Sequence, residues 1–237
     1  ARNPRRRRVD GHRRDPPVNA FYVEGGRLSK EDEMHARRVL RLSPGDRIVA
    51  MDGEGGRFLA ELKEGGAVEL LEPLPSNEPP VALTVYQGVP KADKLEFLAQ
   101  KLTELGVMRL VPVSMERSVK KIERVDRLRK IAREAAKQCG RGMPMAISEP
   151  LPWRDALADM KKRSLLIAPW EEATEGRLLG LPRANDIGLL IGPEGGMSAK
   201  EIQESGARTV TLGPRILRTE TAAVAAAAVL MAAMGDL

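Results

Sequence analysis

The residues best suited to chemistry lie in two short loops near the C-terminus. Residues 187–198 read IGLLIGPEGGMS and residues 209–222 read TVTLGPRILRTETA. Each begins as an apolar run of strand length and breaks at Gly-Pro. The first loop, Ile191, Gly192, Pro193, Glu194 and Gly195, can bring backbone N–H and C=O groups close to a ligand. The prolines stiffen both loops and remove competing donors. The second loop offers an apolar wall in Leu212, Gly213, Ile216 and Leu217 and ends in Arg218, Thr219 and Glu220. A guanidinium can stabilise developing negative charge, a carboxylate can take a proton, and a hydroxyl can orient either. A tight strand-to-helix turn explains either loop taken singly equally well. Glu220 could equally be a helix N-terminal charge facing the dipole. Arg218 is expected to be buried beside the apolar loop and so to need a partner. Gly195 is where an added side chain should collide with a ligand or force an unfavourable backbone angle.

The elements needed to position these loops can be read along the chain. Residues 81–237 alternate strand and helix, which predicts a parallel sheet covered on both faces. VALTVYQGV, MRLVPVS and SLLIAPW read as strands, joined by the apolar runs before each loop. Open sheets of this kind bind ligands at the C-terminal ends of their strands. Asp93 and Glu96 predict a capping box for a helix whose Leu95, Leu98, Leu102 and Leu105 form one face, stopped by Gly106. Val125 to Gln138 predicts a second helix, with Leu128, Ile131, Ala132 and Ala135 inward. Ser198 and Glu201 predict a capping box, and Gly206 a stop. The last helix, from about Glu220 to Met234, is apolar all round and must be buried on most sides. It would sit in one subunit's core or pack on its counterpart in a homodimer, with Ala227 at the contact.

Upstream, residues 20–74 alternate apolar and polar residues between Gly-rich turns, as short antiparallel strands of a small barrel or sandwich do. A helix opened by Ser29 is expected near Lys30 to Leu42. Its Arg37 and Arg38, with Arg41, could face phosphates or simply be solvated. Residues 75–80, within PLPSNEPP, predict a stiff linker. Residues 1–19 read as a basic flexible tail, solvated or a non-specific arm for RNA phosphates.

Charge placement limits the partners. The chain has 237 residues and a formal charge of +6. Residues 1–17 carry seven Arg and two Asp, so the remaining body is nearly neutral. An RNA surface on the body must therefore come from local clustering. Aromatics are 3% of residues, which argues against a base-stacking platform. Cys139 is the only cysteine, so no disulfide within the chain is possible, and a reducing cytoplasmic setting is expected. Two histidines and no His/Cys cluster argue against a metal. The C-terminal apolar run is too short and weak to span a bilayer, so no membrane partner is expected. Neither a P-loop nor a Rossmann fingerprint occurs.

IGPEGGMSAKEI followed by LGPRILRTETAA resembles the C-terminal signature of the SPOUT methyltransferases. More closely, the chain is similar to the bacterial 16S ribosomal RNA (uracil-N3)-methyltransferase family. HARRVLRLSPGD (35–46), KADKLEFLAQKLTELGV (91–107), VPVSMERS (111–118) and REAAKQCGRGMP (133–144) carry the likeness too, so it covers about residues 20–237. The resemblance implies an α/β SPOUT domain with a C-terminal trefoil knot and an N-terminal PUA-like β-barrel that grips RNA. It makes the two loops a pocket for S-adenosyl-L-methionine, adenine being held by loop backbone against the apolar wall. It implies methyl transfer to N3 of a uridine in 16S ribosomal RNA, expected within a small-subunit particle, by a dimer whose active site needs both subunits. N3 carries a proton and pairs in a helix, so the base must be unpaired, oriented and deprotonated. Arg218, Thr219 and Glu220 are the catalytic candidates. Lys91, Lys94, Lys101, Arg117 and Arg141 are implied on the RNA side of the cleft, though each could be only the wet face of a helix. A non-catalytic RNA-binding protein with a degenerate domain, or a small-molecule α/β enzyme, remain open; binding of S-adenosyl-L-methionine by calorimetry separates them.

Overall fold

The structure, a computed structural model, describes residues 19–91, 93–119 and 124–237. The expected tail falls almost wholly outside these residues. The first sheet holds β1 (Ala20–Glu24), β2 (Arg27–Leu28), β3 (Arg47–Met51), β4 (Arg57–Leu62) and β5 (Val68–Pro73), in the order β2-β1-β3-β4-β5. β1 and β3 run parallel while the other neighbours are antiparallel. Parallel pairing needs a crossover, and α1 (Lys30–Arg38) supplies it. A register shift at Leu59/Ala60 helps bend the sheet. It curls until Arg27 of β2 bridges Ala67, at the foot of β5. Phe21, Ile48, Ala50 and Ala60 fill the interior, and Ala36 of α1 plugs it.

Ser29 caps α1 by accepting from the Asp32 N–H, as expected. The helix ends at Arg38 rather than near Leu42. Arg41 sits at φ 58°, in the left-handed region, and the Leu42 N–H reaches back to the Ala36 carbonyl. The chain therefore turns away one helical turn early.

The second sheet is entirely parallel. Its strands are β6 (Ala82–Gly88), β7 (Arg109–Ser114), β8 (Ala146–Ile147), β9 (Leu151–Pro152), β10 (Leu165–Pro169), β11 (Asp186–Ile191) and β12 (Arg208–Val210). They are ordered β12-β10-β11-β6-β7-β8, with β9 also on β7. Side chains alternate between two cores, as the period of a strand demands. Leu83 and Val85 of β6, with Ile187 and Leu189 of β11, pack under α2 (Lys94–Glu104), α3 (Asp126–Cys139) and α6 (Thr219–Met234). Tyr86 and Leu190 face the opposite layer, with α4 (Trp153–Met160) and α5 (Ala199–Ser205).

Ser198 and Glu201 form both halves of the capping box, and Gly206 ends α5 at φ 62°. Asp93 forms no cap. Its backbone is already helical, so its side chain makes no cap hydrogen bond, and Glu96 instead pairs with Arg127 at 2.7 Å. α6 is buried on one face only: Ala223, Ala226, Ala227, Leu230 and Met231 point into the core, while Ala225 and Ala228 are half-buried and Ala232 is exposed. Ala227 thus belongs to this chain's own core and not to an outer contact.

Arg141 holds the two sheets together. It is 4% exposed. It pairs with Glu78 at 2.8 Å and donates to the Thr103 and Val107 carbonyls. Its own carbonyl accepts from the Tyr22 hydroxyl of β1. Arg141 is therefore not on an RNA face: its donors are consumed by a buried partner and two carbonyls.

Candidate active site

Four parallel strands end at one edge: β6 at Gly88, β10 at Pro169, β11 at Ile191 and β12 at Val210. The loops that follow wall a cleft of two adjoining lobes, of about 590 and 530 Å³. Ile191, Gly192, Pro193, Glu194 and Gly195 line the first lobe, together with Arg218 and Thr219. Leu212 and Gly213 line the second, while Ile216 and Leu217 border both. The two loops, each of which a tight turn could explain singly, are thus brought face to face.

The first loop is held from several sides. Pro193 lies so close to Gly88 that a Cβ there would meet its Cδ at 2.5 Å, so β6 can end only in glycine. A Cβ on Gly192 would meet Met197 Cγ at 2.8 Å. Gly196 sits at φ 73°, the left-handed region that suits glycine. Gly195 has no such angle; a Cβ there would press on Arg117 Cβ at 2.9 Å, so Arg117 already restricts this position. Arg117 in turn donates to the Gly195 carbonyl at 2.9 Å.

Glu194 and Glu220 converge on Lys94. Its Nζ lies 3.1 Å from Glu194 Oε1 and 3.0 Å from Glu220 Oε2. The Lys91 N–H also donates to Glu194. Glu220, and then Glu194, hold the Lys94 ammonium above its ordinary pKa against the opposing effect of burial. Burial works against ionisation of both carboxyls. For Glu194 the Lys91 and its own backbone N–H, with Lys94, outweigh it and hold the pKa below the usual range. For Glu220 its own N–H at the start of α6, then Lys94 and Arg218, do the same. Lys91 and Lys94, expected on the RNA side of the cleft, both line it.

Arg218 differs from expectation. It is exposed, at the N-cap position of α6, and among the described residues its side chain makes no ion pair or hydrogen bond. Its guanidinium faces the first lobe uncommitted. Thr219 is buried and donates to the Gly192 carbonyl at 2.6 Å, which ties α6 to the first loop. Of the other cations, Lys101 pairs with Glu104 on α2 at 2.9 Å, and Arg37 lies 3.6 Å from Glu33 on α1. Arg38 and Arg41 are exposed on the first sheet's side of the molecule, and none of these four lines the cleft.

Two residues of the site escaped the sequence reading. Glu171, just after β10, borders both lobes. Gln87 of β6 is fully buried and bonds Thr219 and Gly192. The available signal was a lone glutamine at the end of an apolar strand.

The cleft suits a small ligand with cationic and anionic parts. Glu171 and Glu194 line it with carboxylates and Lys91 and Arg218 with cations, while the Gly192 and Gly195 carbonyls are already held by Thr219, Gln87 and Arg117. Among the described residues no cluster of three or more His, Cys, Asp or Glu could hold a metal, and no helix is long and apolar enough to cross a membrane. A parallel sheet with such a cleft, joined to a curled β-module, is an α/β arrangement that superposes on methyltransferases of the SPOUT type. A family model described as an RNA methyltransferase domain matches residues 77–231, and one described as an RNA methyltransferase PUA domain matches residues 30–70. The chain belongs to this RNA methyltransferase family. It is 31% identical over 217 residues to the ribosomal RNA small subunit methyltransferase E of Bacillus subtilis, covering 82% of this chain and 85% of that one. It is 30% identical over 230 residues to the protein of that name from Aquifex aeolicus, covering 90% and 99%. The crystal structure of such an enzyme from Neisseria gonorrhoeae, bound to S-adenosyl methionine, superposes with a TM-score of 0.80 at 31% identity, over 91% of this chain and 97% of that one.

Proposed function

We propose that this protein transfers a methyl group from S-adenosyl-L-methionine to N3 of one uridine in 16S ribosomal RNA, in the cytoplasm. The observation that carries the reading is the meeting of Arg218, whose side chain has no partner among the described residues, with the two glycine loops over one cleft. The first loop and Leu212 to Leu217 would hold the cofactor, chiefly through backbone. When bound, it supplies an electrophilic methyl group. Arg218 donates to a uracil carbonyl oxygen as the ring gains negative charge. Glu220, whose carboxyl its own backbone N–H and Lys94 hold below the usual range against burial, is the group placed to accept the N3 proton. Thr219 keeps the Gly192 carbonyl fixed. Lys94 keeps Glu194 and Glu220 from repelling each other. The experiment is methylation of 16S RNA, free and in small-subunit particles, with calorimetry of the cofactor alone; RNA binding with neither cofactor binding nor transfer would favour a purely RNA-binding role.

The RNA would enter past Lys91, Arg117 and Arg218, with the curled first domain and its Arg37, Arg38 and Arg41 gripping flanking phosphates. A homodimer through the outer face of α6 and Ile216, which is 91% exposed, would cover apolar surface that one chain leaves open. Ala228→Glu should then shift light scattering from dimer to monomer, whereas monomer in the unaltered protein would refute the dimer. A trefoil knot is supported by the path from edge strand β12 to α6 at the sheet's centre, alongside the β10–β11 connection: the Thr211 N–H bonds the Gly176 carbonyl, and Leu178 shares the core of α6. A stable domain fused after Leu237 should slow refolding far more than the same domain fused at the N-terminus; equal rates would count against a knot.

A further inference from the structure

Strand β6 ends on a residue its surroundings do not favour. Leu83 and Val85, on the same face of the strand, are apolar, yet Gln87 is fully buried between the first loop and α6. Its amide orientation is fixed by chemistry. Nε2 lies 2.9 Å from the Gly88 carbonyl and 3.3 Å from the Gly192 carbonyl, and carbonyls only accept. The same Nε2 lies 2.9 Å from Thr219 Oγ1, whose hydrogen is given to Gly192. Oε1 finds no donor among the described residues. A buried acceptor without a donor costs stability, and a leucine of similar size would avoid that cost. The residue is therefore poorly explained as packing, and its useful end is the NH2 group.

That group touches both halves of the site at once. Gly192 opens the first loop, and Thr219 lies between Arg218 and Glu220 at the first turn of α6. We propose that Gln87 is a positioning residue that sets the register between the cofactor loop and the Arg218–Glu220 turn. It acts through Thr219 and the Gly192 carbonyl and touches no substrate. The inference rests on the reading of this cleft as a methyltransferase site. Reacting groups displaced by about 1 Å typically lose on the order of 100-fold in rate. Without the clamp, α6 keeps its packing against α2, but its first turn can drift relative to the loop.

The test uses the full chain with Gln87→Leu and Gln87→Glu. Gln87→Leu removes the unmet Oε1 but leaves the Gly88 carbonyl without its amide donor, so it is expected to remain folded and to keep cofactor affinity within about threefold. Its single-turnover methylation of 16S RNA at saturating cofactor should fall about 100-fold. Gln87→Glu gives a readout that packing would not move. Only the protonated acid can donate to Thr219, and the ionised form would face the Gly88 and Gly192 carbonyls. Its rate relative to the unaltered protein should therefore rise as pH falls, while that of Gln87→Leu stays low and flat. The charged groups of the adjoining cleft, Lys91, Lys94, Glu171, Glu194, Arg218 and Glu220, are common to all three proteins and are divided out in this ratio. A normal rate for Gln87→Leu, or a loss confined to cofactor affinity, overturns the proposal. If the unaltered protein transfers no methyl, the functional reading fails, and hydrogen exchange still decides the clamp. Faster exchange of the Ala222 amide in Gln87→Leu supports it, and unchanged exchange overturns it.

Discussion

The two loops of the cleft share a sequence pattern but not a mechanical character. The first is fastened on every side: Gly192 by Thr219 and Gln87, Glu194 by Lys91 and Lys94, Gly195 by Arg117. The second has Thr211 bonded to Gly213 and little else, leaving Pro214, Arg215, Ile216 and Arg218 exposed. A pre-formed loop costs a ligand little ordering entropy, whereas a loose one must be ordered on binding. The first loop would supply the shape of the pocket, and the second would close it when cofactor, RNA or a second subunit arrives.

The largest effect that sharpens this contrast is expected at the loose loop's end. Arg218→Ala should lose about 100- to 1000-fold in single-turnover rate with cofactor affinity retained. Arg218→Lys should recover little, because a point charge cannot replace a planar fork. An Arg218→Ala enzyme of normal rate would break the assignment.

Next comes the rigid loop. Gly196→Ala forces an L side chain into the left-handed region and onto Glu171, which should cost about 1–2 kcal/mol in thermal unfolding and weaken the cofactor. Gly213→Ala, at φ 106° but with nothing within 4 Å of its Cβ, should cost less, because the second loop can shift. Equal losses would erase the distinction between the loops.

Lys94→Met tests the electrostatic fastening. Glu194 and Glu220 have folded pKa values held below their ordinary 4.5, so the stability they gain is full above that value and lost as pH falls through the depressed folded pKa. The melting gap between the two proteins should be present at pH 7, correspond to under about 1 kcal/mol, and close in acid below the ordinary carboxylate range. A gap that does not change with pH would show that Lys94 acts by packing. The smallest effect belongs to Ile216→Ser, which should alter stability by less than about 0.5 kcal/mol, while reducing dimer formation.

The same contrast explains what the sequence could reveal. Local rules worked where partners lie within a few residues: Ser198 with Glu201, Gly206, Ser29, and the apolar faces of α2 and α3. They failed where backbone or distant chain decides. Asp93 is already helical and cannot cap. Arg141 is claimed by Glu78, far away in sequence. Lys94 reads as a helix-surface cation until Glu194 and Glu220 arrive from other elements. The loops were legible because Gly-Pro after a strand is a local signal, but Gln87 shows its role only once Thr219 is beside it.

The most direct test of the central claim is nucleoside mass analysis of 16S RNA from small-subunit particles treated with the protein and S-adenosyl-L-methionine. The account expects one 3-methyluridine per RNA with the unaltered protein and almost none with Arg218→Ala. No methylated nucleoside, or a methyl group on a ribose or another ring atom, would contradict it.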